Sequence, residues 1–195
     1  MTDLHADAVR IVTAWTPPDA DQASARNRFL DLLATQPDAC WPENAGAHIT
    51  ASALVVHADL DRVLLCLHGR MGVWVQLGGH CEPSDTSVAG AALREAGEES
   101  TIAGLRINPV PIDLDIHAVR CQYGSCLHYD VRFAVLAPPD AAPRVSPESR
   151  DVRWFAPDRL PTPLAHATDR LVVPALAAAR ALASTPSQPI MTYGS

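Results

Sequence analysis

Apolar residues recur at helical spacing near both ends of the chain and at strand spacing between them. Across residues 3–15, Ala6, Val9, Ile11, Val12 and Trp15 lie near a helical period, and Pro17-Pro18 closes the segment, because proline lacks the N–H a continuing helix uses. A second helical pattern covers residues 20–34, with Phe29, Leu30, Leu32 and Leu33 as its apolar stripe. Pro37 and Cys40-Trp41-Pro42 read as a connector. The period then shortens. Residues 48–57 (HITASALVVH) and 63–68 (VLLCLH) read as strands joined by a turn at 58–61, and residues 73–77 as a third short strand running into Gly78-Gly79. A helix capped by Asp85 or Thr86 continues to Ser100. Strands follow at 111–119, 127–136 and 151–155, with Pro138, Pro139 and Pro143 marking the loop between the last two. A final helix spans 168–184, bent or begun at Pro174, and the Pro/Ser-rich stretch 185–195 reads as a loose tail.

Strands in the middle with one central helix and helices at both ends predict an α/β layered domain bordering on α+β. One domain is expected over 1–195: a helical N-terminal extension (1–45), a core (46–184) and the tail. Length agrees, since 195 residues suffice for one sizeable core. Mean hydropathy of +0.03 and the lack of an apolar run near eighteen residues set aside a membrane span. The start, MTDLHADAVR, has no basic segment leading into an apolar one, which reads as a cytoplasmic protein. Five cysteines, an odd number, suggest free buried thiols over a disulfide framework. The net charge of −7 disfavours nucleic acid and anionic lipid as partners. All 15 basic residues are arginine, which removes a Schiff-base lysine and a P-loop lysine from consideration.

Chemistry concentrates in residues 78–102, GGHCEPSDTSVAGAALREAGEESTI. On the expected helix Glu95, Glu98 and Glu99 share one face, being three and four residues apart. They repel one another and lie toward the helix C-terminus, where the macrodipole disfavours negative charge. A solvated acidic face, softened by an Arg94–Glu98 pair, is one account of this arrangement. A hard divalent cation that reverses the repulsion is the other.

The surroundings favour the cation. A strand ends in Gly-Gly and leads into the carboxylate-bearing helix. The segment resembles the box of the Nudix hydrolase family, in which a glycine, a spaced glutamate and Arg-Glu-x-x-Glu-Glu-x-Gly build a loop–helix–loop metal site. Arg94-Glu95-Ala96-Gly97-Glu98-Glu99 matches the core of that motif, Gly78-Gly79 and Glu82 its opening, and Trp74 stands where the family often has an aromatic. The sequence departs from the pattern at four places. The spacer before Arg94 is one residue longer if Asp85 replaces the spaced glutamate, Thr101 replaces the closing glycine, Leu77 stands where proline is common, and Ser84 where glycine is.

The resemblance implies a Nudix-like α/β/α sandwich around a mixed sheet, and hydrolysis of a diphosphate bond in a small molecule, a nucleoside diphosphate linked to another group. It implies Mg²⁺ or Mn²⁺ held by Glu95, Glu98, Glu99 and the backbone oxygen of Gly79. Glu98, Glu99, Arg94 and Glu148 form the expected catalytic set. Arg94 orients the glutamates, and Glu148, in the loop before the last core strand, ligates metal or acts as base. His80, in the glycine-rich loop, and Arg70 are the expected substrate contacts. A non-catalytic binding or regulatory module of the same fold and a diphosphate isomerase remain as alternatives, and a homodimer is open.

Other residues carry weaker signals. His48, His68, His80, His117 and His128 lie on or beside expected strands, and with Cys81, Cys121 and Cys126 they invite a zinc reading, but their spacing forms no recognised zinc pattern. His117 and His128 read as paired polar residues inside the sheet. Trp41, Trp74 and Tyr123 are candidates for stacking on a base, against the commoner role of lone aromatics in a core.

Overall fold

Pro17 and Pro18 end the first helix, and Asp19 starts the second by accepting a hydrogen bond from the Gln22 N–H (2.8 Å). In this computed structural model, which describes residues 3–44, 46–121, 124–147 and 149–184 (the Cys121 side chain excepted), those helices are α1 (Asp3–Ala14) and α2 (Ala20–Thr35). There follow β1 (Ala47–Val56), β2 (Val63–His68), β3 (Trp74–Val75), β4 (Leu77–His80), α3 (Val88–Ser100), β5 (Arg106–Ile107), β6 (Asp113–Cys121), β7 (Gly124–Leu136) and β8 (Ser149–Phe155). A single 3-10 turn (Asp169–Leu171) leads into α4 (Val172–Ser184).

The strands form one mixed sheet. Parallel pairing of β1 with β7 runs from Ala47↔Leu127 to Val56↔Leu136 and makes its centre. The other edge of β1 is shared by two antiparallel partners, β4 over Thr50–Ala53 and β2 at Val55 and Val56. Beyond β2 lie β3 and β8, and beyond β7 lie β5 and β6.

Side chains alternate across this sheet and sort the layers. Ile49, Ala51, Ala53 and Val55 of β1 and Tyr129, Val131, Phe133 and Val135 of β7 pack with α1, α2 and α3 in one core. Leu54, Val56, Ala134 and Leu136 point the other way and pack with α4. The result is the expected α/β/α sandwich. Residues 3–35 contribute Leu4, Ile11, Val12 and Phe29 to the first core, so the N-terminal helices are packed onto the sheet.

Several details differ from the sequence reading. The expected strand 73–77 is two strands, because the chain leaves β2 at Val75 and joins β1 at Leu77. The strand β5 has two residues, too few to show a period. Ser87 caps α3, its Oγ accepting from the Gly90 N–H (3.0 Å), because Asp85, an expected cap, is committed to Arg94. Pro174 falls in the first turn of α4, where helix N–H groups have no intrahelical partner, and so causes no break. Cys40, Cys66 and Cys81 are free and buried as expected. Cys126, on β7, is disulfide-bonded instead, since an odd number of cysteines does not exclude a bridge between two of them. The tail lies outside the described residues, as do Tyr123 and Glu148.

Candidate active site

The turn from β4 into α3 builds the site. At Gly78 a Cβ would lie 2.3 Å from Ser52 Cβ, so β4 can press against β1 only without a side chain there. The Gly78 N–H donates to Glu99 Oε2 (2.8 Å), tying the end of α3 to the strand. At Gly79 a Cβ would stand 2.7–2.8 Å from the Glu95 carboxyl atoms. Glycine therefore leaves the space beside that carboxylate clear.

Arg94 organises the rest. Its Nε and Nη2 donate to the two oxygens of Asp85 (3.2 and 2.9 Å), a bidentate pair whose members are mostly buried. Nη1 donates to Glu95 Oε1 and to Glu98 Oε2, both at 3.0 Å, and Nη2 also donates to the His80 carbonyl (2.9 Å). The hydrogen bonds to Asp85, with added attraction from Glu95, outweigh burial and push the guanidinium further above its ordinary range. Asp85 Oδ2 also accepts the Glu82 N–H (2.8 Å), closing the loop. Glu82 itself is exposed, 3.7 Å from Arg94.

Glu95 and Glu98 thus meet on Arg94, while Glu99 accepts the Gly78 N–H and a long contact from the Cys66 thiol (3.9 Å). Burial first, then the Glu99 charge, pushes that thiol up to about 12. The Glu98 side chain is 60% exposed against 13% for Glu95, so the row of carboxylates runs from a shielded end to an open one. Hard oxygen donors beside a side-chain-free glycine suit a hard divalent cation such as Mg²⁺ or Mn²⁺.

The other expected residues are placed as follows. Arg70 is exposed in the turn between β2 and β3, its backbone N–H on His68 Nδ1 (3.2 Å). His80 is exposed at the end of β4, and its ring turns toward His128, with the two Nε2 atoms 3.3 Å apart. Trp74 is buried against Phe155 (ring centroids 4.8 Å), a core role.

A second polar region lies on the α4 side of the sheet. Arg132, nearly fully buried, donates to Asp130 (2.9 Å), Asp115 (2.9 Å) and Asp113 (3.3 Å). Arg170 bonds Asp113 (2.8 and 2.9 Å) and Asp115 (3.1 Å). Burial raises Asp113. At Asp115 burial is outweighed by the hydrogen bond from His117 and by the two arginines, which bring it down to about 2. Next along the same face, His48, His80, His117 and His128 gather ring against ring. Burial first, then the neighbouring imidazoles, hold His128 down at about 3. The pairing of His117 with His128 was expected, but the ion network and the gathering of four histidines were not. The available signal was strict alternation: Asp113, Asp115, His117 on β6, and His128, Asp130, Arg132 on β7.

A family model for the NUDIX domain matches residues 46–176. The chain belongs to the Nudix family and is a Nudix hydrolase. The match begins at the sheet and leaves α1 and α2 outside it. This Nudix fold is similar to that of a NUDIX-family hydrolase from Clostridium perfringens, at 22% identity and a TM-score of 0.52, over 69% of this chain and 97% of that one. It is similar too to the NUDIX domain of Shewanella oneidensis NrtR, solved with ADP ribose, at 22% identity and a TM-score of 0.51, over 74% and 94% of the two chains. No curated protein matches the sequence. Two departures of the Nudix box now have physical accounts. Asp85, one residue displaced, still takes the Arg94 fork. Thr101 adopts the left-handed cap a glycine would favour (φ 58°, ψ 17°), and its N–H donates to the Gly97 carbonyl (2.7 Å).

Proposed function

We propose that this Nudix hydrolase cleaves the diphosphate linkage of a small molecule, a nucleoside diphosphate joined to another group, with Mg²⁺ or Mn²⁺ as cofactor. The observation that carries the reading is Arg94, which binds Asp85 and ties Glu98 to Glu95, the carboxylate that faces Gly79. Glu95, Glu98, Glu99 and the Gly79 carbonyl are the groups that would hold the ion. Bound there, a hard divalent cation supplies charge neutralisation for the diphosphate and a lower pKa for water.

The protein's own residues divide the remaining work. Arg94 is a positioning residue: its donors are spent on Asp85, Glu95, Glu98 and the His80 carbonyl. Gly78 fixes Glu99 through its N–H. Glu98, at the open end of the row, or Glu148 takes the proton of the attacking water. Arg70, exposed between β2 and β3, is the proposed contact for substrate phosphate. ADP ribose, held by the Shewanella domain, is a nucleoside diphosphate linked to a second group, and molecules of that kind come first in the test. The experiment is a panel of nucleotide sugars, dinucleotides, coenzyme A, nucleoside triphosphates and non-nucleotide diphosphates, scored for product release with Mg²⁺ or Mn²⁺. Turnover of the nucleoside-diphosphate-linked compounds above the others supports the reading. Binding without turnover of any of them would make the protein a ligand-binding module.

A further inference from the structure

We propose that His48, His80 and His128 form a transition-metal site that takes Zn²⁺ and is separate from the Nudix carboxylates. The three come from different strands, and the sheet register sets them side by side: β1 pairs His48 with His128, and β4 places His80 opposite Thr50, two residues on. Their ring centroids form a near-equilateral triangle, with sides of 4.8 Å (His48–His128), 5.0 Å (His48–His80) and 5.1 Å (His80–His128). Three imidazoles radiating from one tetrahedral zinc at roughly 2.0–2.1 Å put their centroids about 5 Å apart and their ligating nitrogens about 3.3 Å apart. The Nε2 atoms of His80 and His128 are 3.3 Å apart.

A second, independent observation comes from His48. The residue is 1% exposed, its Nδ1 faces the Asn44 carbonyl (3.2 Å), and its Nε2 has no hydrogen-bond partner among the described residues. A carbonyl on Nδ1 fixes the tautomer that leaves Nε2 as a lone pair, the outer contact that metal-binding histidines usually make. His117 lies behind His128 (centroids 5.6 Å), with its Nδ1 on Asp115 (2.8 Å).

The donor set selects the ion. Imidazole nitrogen suits zinc and its neighbours among the transition metals, whereas Mg²⁺ takes oxygen. The atoms that His48, His128 and Cys126 would offer lie within 4.8 Å of one another, but disulfide-bonded Cys126 has no thiolate to give. Three imidazoles and an open fourth position make up the ligand count of a zinc that exchanges water or substrate oxygen. His80 is exposed, so that position opens to solvent. Through the His80 carbonyl, which accepts from Arg94, the site adjoins the carboxylate helix.

The test is calorimetric titration of EDTA-treated, dialysed protein with ZnCl₂ in excess Mg²⁺, which keeps the carboxylates occupied, together with the visible spectrum of the Co²⁺ form. Wild type and Glu98→Gln should each bind one equivalent and give tetrahedral cobalt bands. His48→Ala, His128→Asn and His80→Asn should each weaken Zn²⁺ by about a hundredfold or more, since even outer-shell losses cost up to that much. His80 is exposed at a strand end, so His80→Asn remains informative if a buried variant fails to fold. No saturable Zn²⁺ binding in excess Mg²⁺, binding unchanged in His80→Asn, or binding lost in Glu98→Gln would overturn the proposal.

Discussion

Arg94 and Asp85 are joined by two hydrogen bonds, Nε to Oδ1 at 3.2 Å and Nη2 to Oδ2 at 2.9 Å. The pair is mostly buried, with side-chain exposures of 18% and 7%, so its loss leaves a charge without its partner. Asp85→Asn is expected to cost about 2 kcal/mol of stability, the scale of a charge-assisted hydrogen bond, and to lower kcat by letting Glu95 and Glu98 drift with Arg94. Arg94→Lys should do the same, because an ammonium cannot fork. Denaturant titration and kcat of the two variants check this. Wild-type values for both in Asp85→Asn would remove the pair from the account.

Thr101 carries a left-handed backbone, φ 58°, at the end of α3. For an L-residue that conformation costs roughly 1–2 kcal/mol, and glycine recovers it less its own unfolded-state entropy of about 0.5–1 kcal/mol. Thr101→Gly should therefore raise stability by about 0.5–1 kcal/mol with kcat unchanged. A destabilised variant would mean that the threonine side chain contributes more than its backbone costs.

His128 is held at about 3 by burial and by its imidazole neighbours, and His48 is also held below its ordinary value by burial. In the unfolded chain both titrate near 6.5. Above pH 6.5 neither state binds these protons and the full stability is present. As pH falls through 6.5 the unfolded chain takes up protons that the folded one refuses, so stability declines toward pH 3. Metal-free protein should lose unfolding free energy between pH 7 and pH 5, with a shallower slope in His128→Gln. An identical slope in the variant would contradict the assignment.

Much of this was legible in the sequence. Apolar runs bounded by turn residues gave β1, β2, β7 and β8 to within a few residues, because the sheet centre is buried on both faces, every residue of β1 included. The box was legible because Arg94, Glu95, Glu98 and Glu99 are fixed to one another by helix geometry, and one helix needs no tertiary information. What was missed depends on register. His48, His80 and His128 are far apart in the chain and meet only because β1 lies between β4 and β7. The Arg132–Arg170 network with Asp113, Asp115 and Asp130 arises in the same way. Asp85 was read both as a cap and as a replacement for the spaced glutamate of the box, and only the fold shows Arg94 brought back to it.

Glu148 lies outside the described residues, and its role is tested by metal titration. As a ligand, Glu148→Gln would need more Mn²⁺ and be partly rescued by it. As the base, it would keep metal affinity and lose kcat at every metal concentration. Wild-type kcat and metal affinity would exclude both roles and leave Glu98 as the proton acceptor.

Diphosphate hydrolysis by the carboxylates on α3 is tested by the kcat of wild type, Glu98→Gln and Glu99→Gln on the best substrate of the panel, with Mg²⁺ or Mn²⁺ and again after exhaustive chelation. Turnover is expected to vanish with EDTA and to fall by roughly a hundredfold or more in each variant, with the fold intact. Undiminished turnover after chelation, or near-wild-type kcat in both folded variants, would contradict it and leave the three glutamates as a solvated face.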